Sequence, residues 1–325
     1  MKVLTVIPGN GQGMSMVFSR RQVDKIEELG ATVRRFFVAS RTSLIGLLRD
    51  SFRLRAEIST FKPDIIHVHY GTMTAWLVTH STNYPVVITF HGSDLNPGPG
   101  NQLRVLIGHV LSHLAARRAK GIICVSQELF GRLRFGQNRA VVVPMGVDVD
   151  CFQPVSPCEA RKALGWTHQD PVLLFNAGLH STVKRLDLAE AAYWQAKRRI
   201  PNLRFEVLCG NVKPEDVPLY TNAADALIVT SDYEGSPTIV KEAMACGLPV
   251  VSVAVGDVVE RLLEVDPSRI VARDPHALGH AVADVISLGR RSNGPVIASR
   301  DLAESVISKR VLKFLEACAR CAGED

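Results

Sequence analysis

The chain has 325 residues, 46% hydrophobic and 22% charged, with a net charge of +6. That is ordinary globular composition, too long for one comfortable core, so two domains are expected. No run approaches the roughly 18–20 apolar residues needed to span a bilayer, and residues 1–8 look like a short strand rather than a signal peptide.

Seven scattered cysteines fit a reducing cytoplasm better than a disulfide scaffold. Cys318 and Cys321 have zinc-ligand spacing but no second ligand pair, so no metal site is expected. Charge is uneven: residues 1–150 carry 18 Lys/Arg against 10 Asp/Glu, and residues 151–325 carry 20 against 22. A basic first half suits a phosphorylated substrate or an anionic lipid surface. Without interleaved aromatics or a recognisable motif, nucleic acid is not expected.

In chain order, short β-branched runs predict strands at 2–7, 32–38, 64–69, 86–90, 121–125 and 140–143, with helices near 14–29, 44–60, 72–80, 102–119 and 127–134. This alternation predicts an α/β fold with a doubly wound parallel sheet over residues 1–150. Pro154 and Pro157 break the rhythm, so residues 151–170 are read as a linker. A second alternation follows: strand 171–176, helix 185–199, strand 203–208, helix 216–222, strand 225–229, helix 237–246 and strand 249–255. Helices near 257–264 and 275–288 complete a second Rossmann-like domain over 171–300. A C-terminal helix over 301–325 is expected to pack back toward the first domain. Two such domains would face a central cleft, with ligands at the carboxyl ends of the strands.

The most informative stretch runs from Glu234 to Glu242. Ser236 is a good N-cap, Pro237 a good first helical residue, and Gly247 and Pro249 are stop signals. The free amides at such a helix start form an anion site. Glu234 lies just before that site and Glu242 inside the helix, so the block has room for a sugar, a diphosphate and a ribose. Gly9, Gly11 and Gly13 form a turn after the first strand, read either as a plain strand-to-helix turn or as an approach to a diphosphate. His67 and His69 share one face of a strand; His69, nearer its end, is a candidate acceptor-side residue, or both are packed. His91 ends the next apolar strand, as a ligand contact or as a histidine bonded into the fold. Asp94 either orients a loop or meets the acceptor.

Taken together, these blocks resemble the family 4 retaining glycosyltransferases of the GT-B fold. The resemblance also includes Pro63-Asp-Ile-Ile-His-Val-His69, Thr89-Phe-His-Gly-Ser-Asp94, Val143-Pro-Met-Gly-Val-Asp148 and Val183-Lys-Arg185. It implies a nucleotide-sugar donor, UDP- or GDP-linked, held mainly by the second domain, and a saccharide or lipid-linked acceptor held mainly by the first. It implies no cofactor and no metal, because helix amides and basic side chains take up the leaving-group charge.

By the resemblance, Glu242 binds ribose, Glu234 positions the donor sugar, and His91 sits beside it. Gly235, Ser236, Pro237 and Thr238 meet the sugar and diphosphate, and Lys184 neutralises the diphosphate. Gly11 and Gly13 let the first domain approach that diphosphate. Family members often carry an arginine shortly before the lysine; residues 178–183 have none, and Arg185 is the candidate substitute at a position often held by glycine. Cell-envelope or exopolysaccharide assembly is the expected setting, in the cytoplasm.

The stretches 41–55 and 103–120 mix apolar and basic residues. Each is read as an ordinary helix with a core face, or as a peripheral contact with an anionic membrane. A non-catalytic GT-B subunit that binds a nucleotide or glycan and supports a partner enzyme is the alternative function.

Overall fold

The computed structural model describes residues 1–11, 16–39, 43–98, 101–167, 169–178, 181–210 and 212–321. The chain forms two compact units, one comprising Met1–Met145 with the segment from Glu304 onward, the other Gly146–Ala303.

The first unit contains β1 (Lys2–Pro8), α1 (Val17–Glu28), β2 (Thr32–Val38), α2 (Leu44–Phe61), β3 (Ile65–His69), α3 (Thr72–Ser81), β4 (Val86–Phe90), α4 (Gln102–Arg118), β5 (Gly121–Cys124), α5 (Gln127–Arg132) and β6 (Ala140–Val142). All pairings are parallel, in the order β2-β1-β3-β4-β5-β6. β3 and β4 are buried throughout; β4 is a near-continuous apolar run, as burial on both faces requires, while β3 carries His67 and His69 within its burial. Leu54, Ala75, Val78, Ala115 and Ala116 pack α2, α3 and α4 onto one face. Val3, Ile65, Val87 and Ile123 point to the other, against Ile26 of α1 and Ile307, Val311 and Leu315 of the helix Glu304–Arg320. Each such fully buried aliphatic side chain contributes roughly 1.5–3 kcal/mol.

The second unit contains α6 (Pro157–Ala163), β7 (Val172–Asn176), α7 (Ser181–Lys184), α8 (Leu186–Lys197), β8 (Arg204–Leu208), α9 (Val217–Ala223), β9 (Ala226–Val229), α10 (Thr238–Ala245), β10 (Val250–Ser252), α11 (Val258–Leu262), β11 (Arg269–Ile270), α12 (Pro275–Ser287) and α13 (Gly294–Ile297). Its strands are parallel in the order β11-β10-β9-β7-β8. The helix Glu304–Arg320, numbered α14, returns to the first unit.

Two expectations need correction. The stretch 151–170 is not a free linker: Phe152 belongs to the core of the second unit, and Arg161 donates from Nε to Ala223 O (2.9 Å) and from Nη2 to Asp225 Oδ2 (2.7 Å). Pro157 opens the short helix α6, and the boundary falls at Met145/Gly146. The strand expected over 249–255 ends at Ser252, because its partner β11 is only two residues long.

Candidate functional site

In the second unit the site is built where β9 and β7 end. After β9 the chain runs through Thr230 to Glu234 and enters α10. This loop is pinned to the junction of α7 and α8. Asp232 N donates to Val183 O (2.9 Å), and Thr230 Oγ1 donates to Lys184 O (2.8 Å). Arg273 holds it from below, donating to Thr230 O (2.7 Å), Ser231 O (2.8 Å) and Asp232 Oδ1 (3.1 Å).

This scaffolding brings Lys184 Nζ to 2.5 Å from Glu234 Oε1, which also accepts from Ser231 Oγ at 2.8 Å. Both side chains are mostly covered, so the ammonium and carboxylate stand as one fixed pair. An ammonium has three donors and Glu234 takes one of them.

Ser236 is not the N-cap of α10. Pro237 holds that position, with extended ψ and no side-chain hydrogen bond to the helix. Ser236 is buried and donates from Oγ to Asp257 Oδ2 (2.9 Å). Asp257 also receives Nζ of Lys241 on Oδ1 (3.0 Å), and Lys241 donates to Pro237 O (3.3 Å). Lys241 and Asp257 are both buried, and burial pulls the lysine pKa down against the opposing pull of Asp257. The first turn of α10 is therefore uncapped by any side chain and held from beneath by a buried ion pair.

Gly235 and Pro237 are buried, Thr238 is half-buried, and Glu242, also half-buried, lies one turn further into α10. Gly256 presses on the same loop. Its φ is +57°, and a Cβ there would meet Gly235 O at 2.8 Å and Glu234 Cβ at 3.1 Å. Gly256→Ala is therefore expected to cost about 1–3 kcal/mol and to displace Glu234. A thermal melt should show the loss of stability, and a donor titration a raised KM.

Arg185 lies beside the pair without facing the same way. It adopts φ +57° between α7 and α8, a left-handed geometry suited to glycine. Its guanidinium is held by Asp187 (2.8 Å) and Asp232 (3.1 Å). These bonds to carboxylates raise its pKa.

In the first unit, three histidines lie together at the ends of β3 and β4. His67 Nε2 is 2.8 Å from Thr89 Oγ1, and His69 Nδ1 is 3.2 Å from His91 Nε2. The rings of His67 and His69 are 4.3 Å apart, and those of His69 and His91 are stacked at 5.4 Å. His69 is completely buried, with Nδ1 turned to His91. Asp94 is completely buried as well: its carboxylate accepts from the amides of Gly71 (3.0 Å), His91 (3.0 Å) and Gly92 (2.8 Å). It ties the loop after β4 to the loop after β3, the arrangement of a loop-orienting residue. Gly11, φ +76°, lies where a Cβ would meet the Phe37 ring at 2.8 Å, so packing as well as backbone angle calls for glycine. Gly13 lies outside the described residues.

Burial pushes His67 and His91 down to about 3 and His69 well below its ordinary value. The unfolded chain takes up protons near pH 6.5 that the folded chain refuses, so stability is full above that pH and falls as pH drops toward 3. The slope is about 1.4 kcal/mol per pH unit for each histidine kept neutral. Asp94, whose pKa burial raises, works in the opposite sense and offsets part of the loss at the acid end. Chemical denaturation at pH 7.5, 6 and 5 should show the fall, and His67→Asn should make it shallower by one proton.

Ser231, Lys241, Gly256, Asp257 and Arg273 belong to the site and were not anticipated. One signal was present: α10 is apolar nearly all round, and a lysine inside such a helix must find an acid. Among the described residues, no group of three or more His, Cys, Asp or Glu is placed to hold a metal ion.

Comparison with known proteins follows the same division. The model described as Glycosyltransferase Family 4 matches residues 15–151, and that described as Glycosyl transferases group 1 matches residues 171–287. A Bacillus subtilis glycosyltransferase, TuaC, named for teichuronic acid biosynthesis, is 28% identical over 220 residues. That match covers 60% of this chain and about half of the relative (54%). Sucrose-phosphate synthase from Thermosynechococcus elongatus superposes with a TM-score of 0.80 at 17% identity, covering 98% of this chain and 99% of that one. Anabaena HepE in complex with UDP and glucose gives 0.72 at 17% identity, covering 98% and 100%.

Proposed function

Because the chain belongs to the family 4 glycosyltransferases of group 1, with two parallel α/β units of the GT-B kind, we propose that it moves a sugar from a UDP- or GDP-linked donor to a saccharide or lipid-linked acceptor. The observation that carries this reading is the fixed Lys184–Glu234 pair beside the uncapped start of α10. Amides and an ammonium are suited to a departing diphosphate, and a carboxylate to sugar hydroxyls.

In this reading the bond between the anomeric carbon and the diphosphate breaks, and an acceptor oxygen forms the new bond on the same face. The acceptor proton leaves with the diphosphate or to water. Glu242 receives the ribose hydroxyls, and His91, backed by His69, sits on the sugar side. The positive charge comes from the protein, so no metal is needed. UDP and glucose bound to HepE favour a uridine donor, and the likeness to TuaC favours cell-envelope polysaccharide assembly on the cytoplasmic side.

The test is donor hydrolysis across UDP, GDP and ADP sugars, with and without EDTA, followed by NMR of the anomeric product. Turnover unaffected by EDTA with a retained anomer is expected. Loss in EDTA would overturn the metal-free mechanism, and an inverted anomer the retaining one. One observation favours the alternative of a non-catalytic binding subunit: the guanidinium that would replace the missing arginine is engaged by Asp187 and Asp232. Nucleotide binding without turnover of any donor would establish that reading instead.

A further inference from the structure

The helical layer of the first unit has an outer surface unlike that of an ordinary amphipathic layer. On α4 the small residues Ser112, Ala115 and Ala116 face the sheet, while Leu103, Leu106, Ile107, Val110 and Leu114 face outward, each between 41% and 65% exposed. On α2, Leu54 and Ile58 are buried, while Ile45, Leu48 and Phe52 are 62% to 81% exposed. α2, α3 and α4 cover the same face of the sheet, so the two apolar stripes belong to one surface. Eight large apolar side chains standing in water need a partner.

The charge on this layer identifies the kind of partner. Between Asp64 and Glu128 the sequence has a single acid, Asp94, and it is completely buried. α3 and α4 carry no acid. Asp50 of α2 is buried and paired with Arg53, leaving Glu57, which pairs with Arg34. Arg49, Arg55, Arg104 and Arg117 are exposed around the apolar residues. A second copy of the chain would set arginine against arginine with no exposed acid to relieve them. A surface that is negative, apolar beneath and broad enough for two helices is an anionic bilayer.

We propose that the outer surface of α2 and α4 rests on an anionic lipid bilayer, with Leu103, Leu106, Ile107, Val110 and Phe52 entering the acyl boundary and the arginines meeting lipid phosphates. No helix of the described residues is long and apolar enough to cross a membrane, so the contact is peripheral. It names the surroundings of the acceptor in the glycosyltransferase reading, while the contact itself requires no turnover.

The test uses the full chain and vesicles of phosphatidylcholine with or without phosphatidylglycerol, separated by flotation. The protein should float with the anionic vesicles at low salt and leave them at high salt, because the arginine contribution is screened. Leu106→Ser with Ile107→Ser should lower the partition coefficient roughly tenfold or more. Both positions are exposed, so the circular dichroism spectrum and donor hydrolysis without vesicles should be unchanged. Arg104→Glu should weaken binding and flatten its salt dependence. Equal partition onto neutral vesicles, or none onto anionic ones at low salt, would overturn the proposal. So would a solution dimer that the double variant dissociates while vesicle binding stays intact. Donor hydrolysis is read separately, so failure of the membrane contact is distinguishable from failure of the enzymatic reading.

Discussion

Lys184→Ala is expected to lower turnover of the best sugar nucleotide by about 10²–10³-fold, the usual loss when one preorganised donor to a developing anion is removed. Two observations set the size. Lys184 is held in position before any ligand arrives, by Glu234 at 2.5 Å and by the stitching of Thr230 and Asp232 to its own turn. Its neighbour Arg185 is occupied by two aspartates and cannot simply take over.

The loss should fall on kcat more than on KM, since the charge on the diphosphate grows as the sugar leaves. Glu234→Gln should show the converse, a raised donor KM, because it removes the anion that orients the lysine and that the proposed reading sets against the sugar hydroxyls. Lys184→Arg should recover only part of the activity, as a planar guanidinium does not fill the place of a compact ammonium. The pair is mostly covered, so each of these variants should also lose some stability, and a thermal melt separates that loss from the kinetic one. A drop of less than tenfold in kcat for Lys184→Ala would remove the lysine from leaving-group stabilisation.

The second large effect concerns stability. Lys241→Ala is expected to cost about 3–5 kcal/mol, because it takes the buried ammonium from the Asp257 carboxylate and leaves only the longer contact from Arg261 Nε (3.6 Å). At a few degrees per kcal/mol, that lowers the melting temperature of the second unit by roughly 6–20 °C. Asp257→Asn strands the ammonium instead. Burial already lowers the Lys241 pKa, so without Asp257 the lysine should be neutral in the folded state and protonated in the unfolded one. The loss from Asp257→Asn should therefore grow as pH falls.

Replacing both, Lys241→Met with Asp257→Asn, should recover more than half of the single-variant loss, since neither charge is left buried alone. Ser236 loses its ionised acceptor in both aspartate variants, so the donor KM should rise even where stability is regained. Differential scanning calorimetry across pH, paired with donor titrations, measures both effects. Additive single-variant losses in the double variant would show that the two side chains act independently.

Much of the architecture was legible because buried parallel strands leave a strong mark. The runs that became β4 and β5 contain little besides β-branched and small residues, β3 adds two histidines to the same pattern, and the rhythm of strand and helix separated two sheets. The positions of His91 at the end of β4 and of Glu234 just before α10 could be read for the same reason, whereas Lys184 stood out only through the family resemblance. What could not be read depended on contacts distant in sequence. Ser236 has the composition of an N-cap, but Asp257, 21 positions away, claims its hydroxyl. Asp94 is polar and follows a histidine at a strand end, yet three backbone amides hold it inside. The pattern of α4 announces two faces without saying which one meets the sheet. Ala115 and Ala116 were chosen over the leucines because they allow the close approach of helix to strand.

The helix α14 alters how the chain must be assembled. It follows the whole second unit in the chain, yet with Ile26 of α1 it covers Val3, Ile65, Val87 and Ile123 of the first unit. The second unit, 146–303, is continuous in sequence and has all its strands before α14 is made. On a ribosome the usual order, first domain first, is therefore inverted. The first sheet must wait with one face covered only in part, by α1, while the second unit completes, and α14 then closes it. A frameshift or proteolytic cut just before Glu304 would thus damage the first unit, synthesised earlier, and not the unit next to the cut.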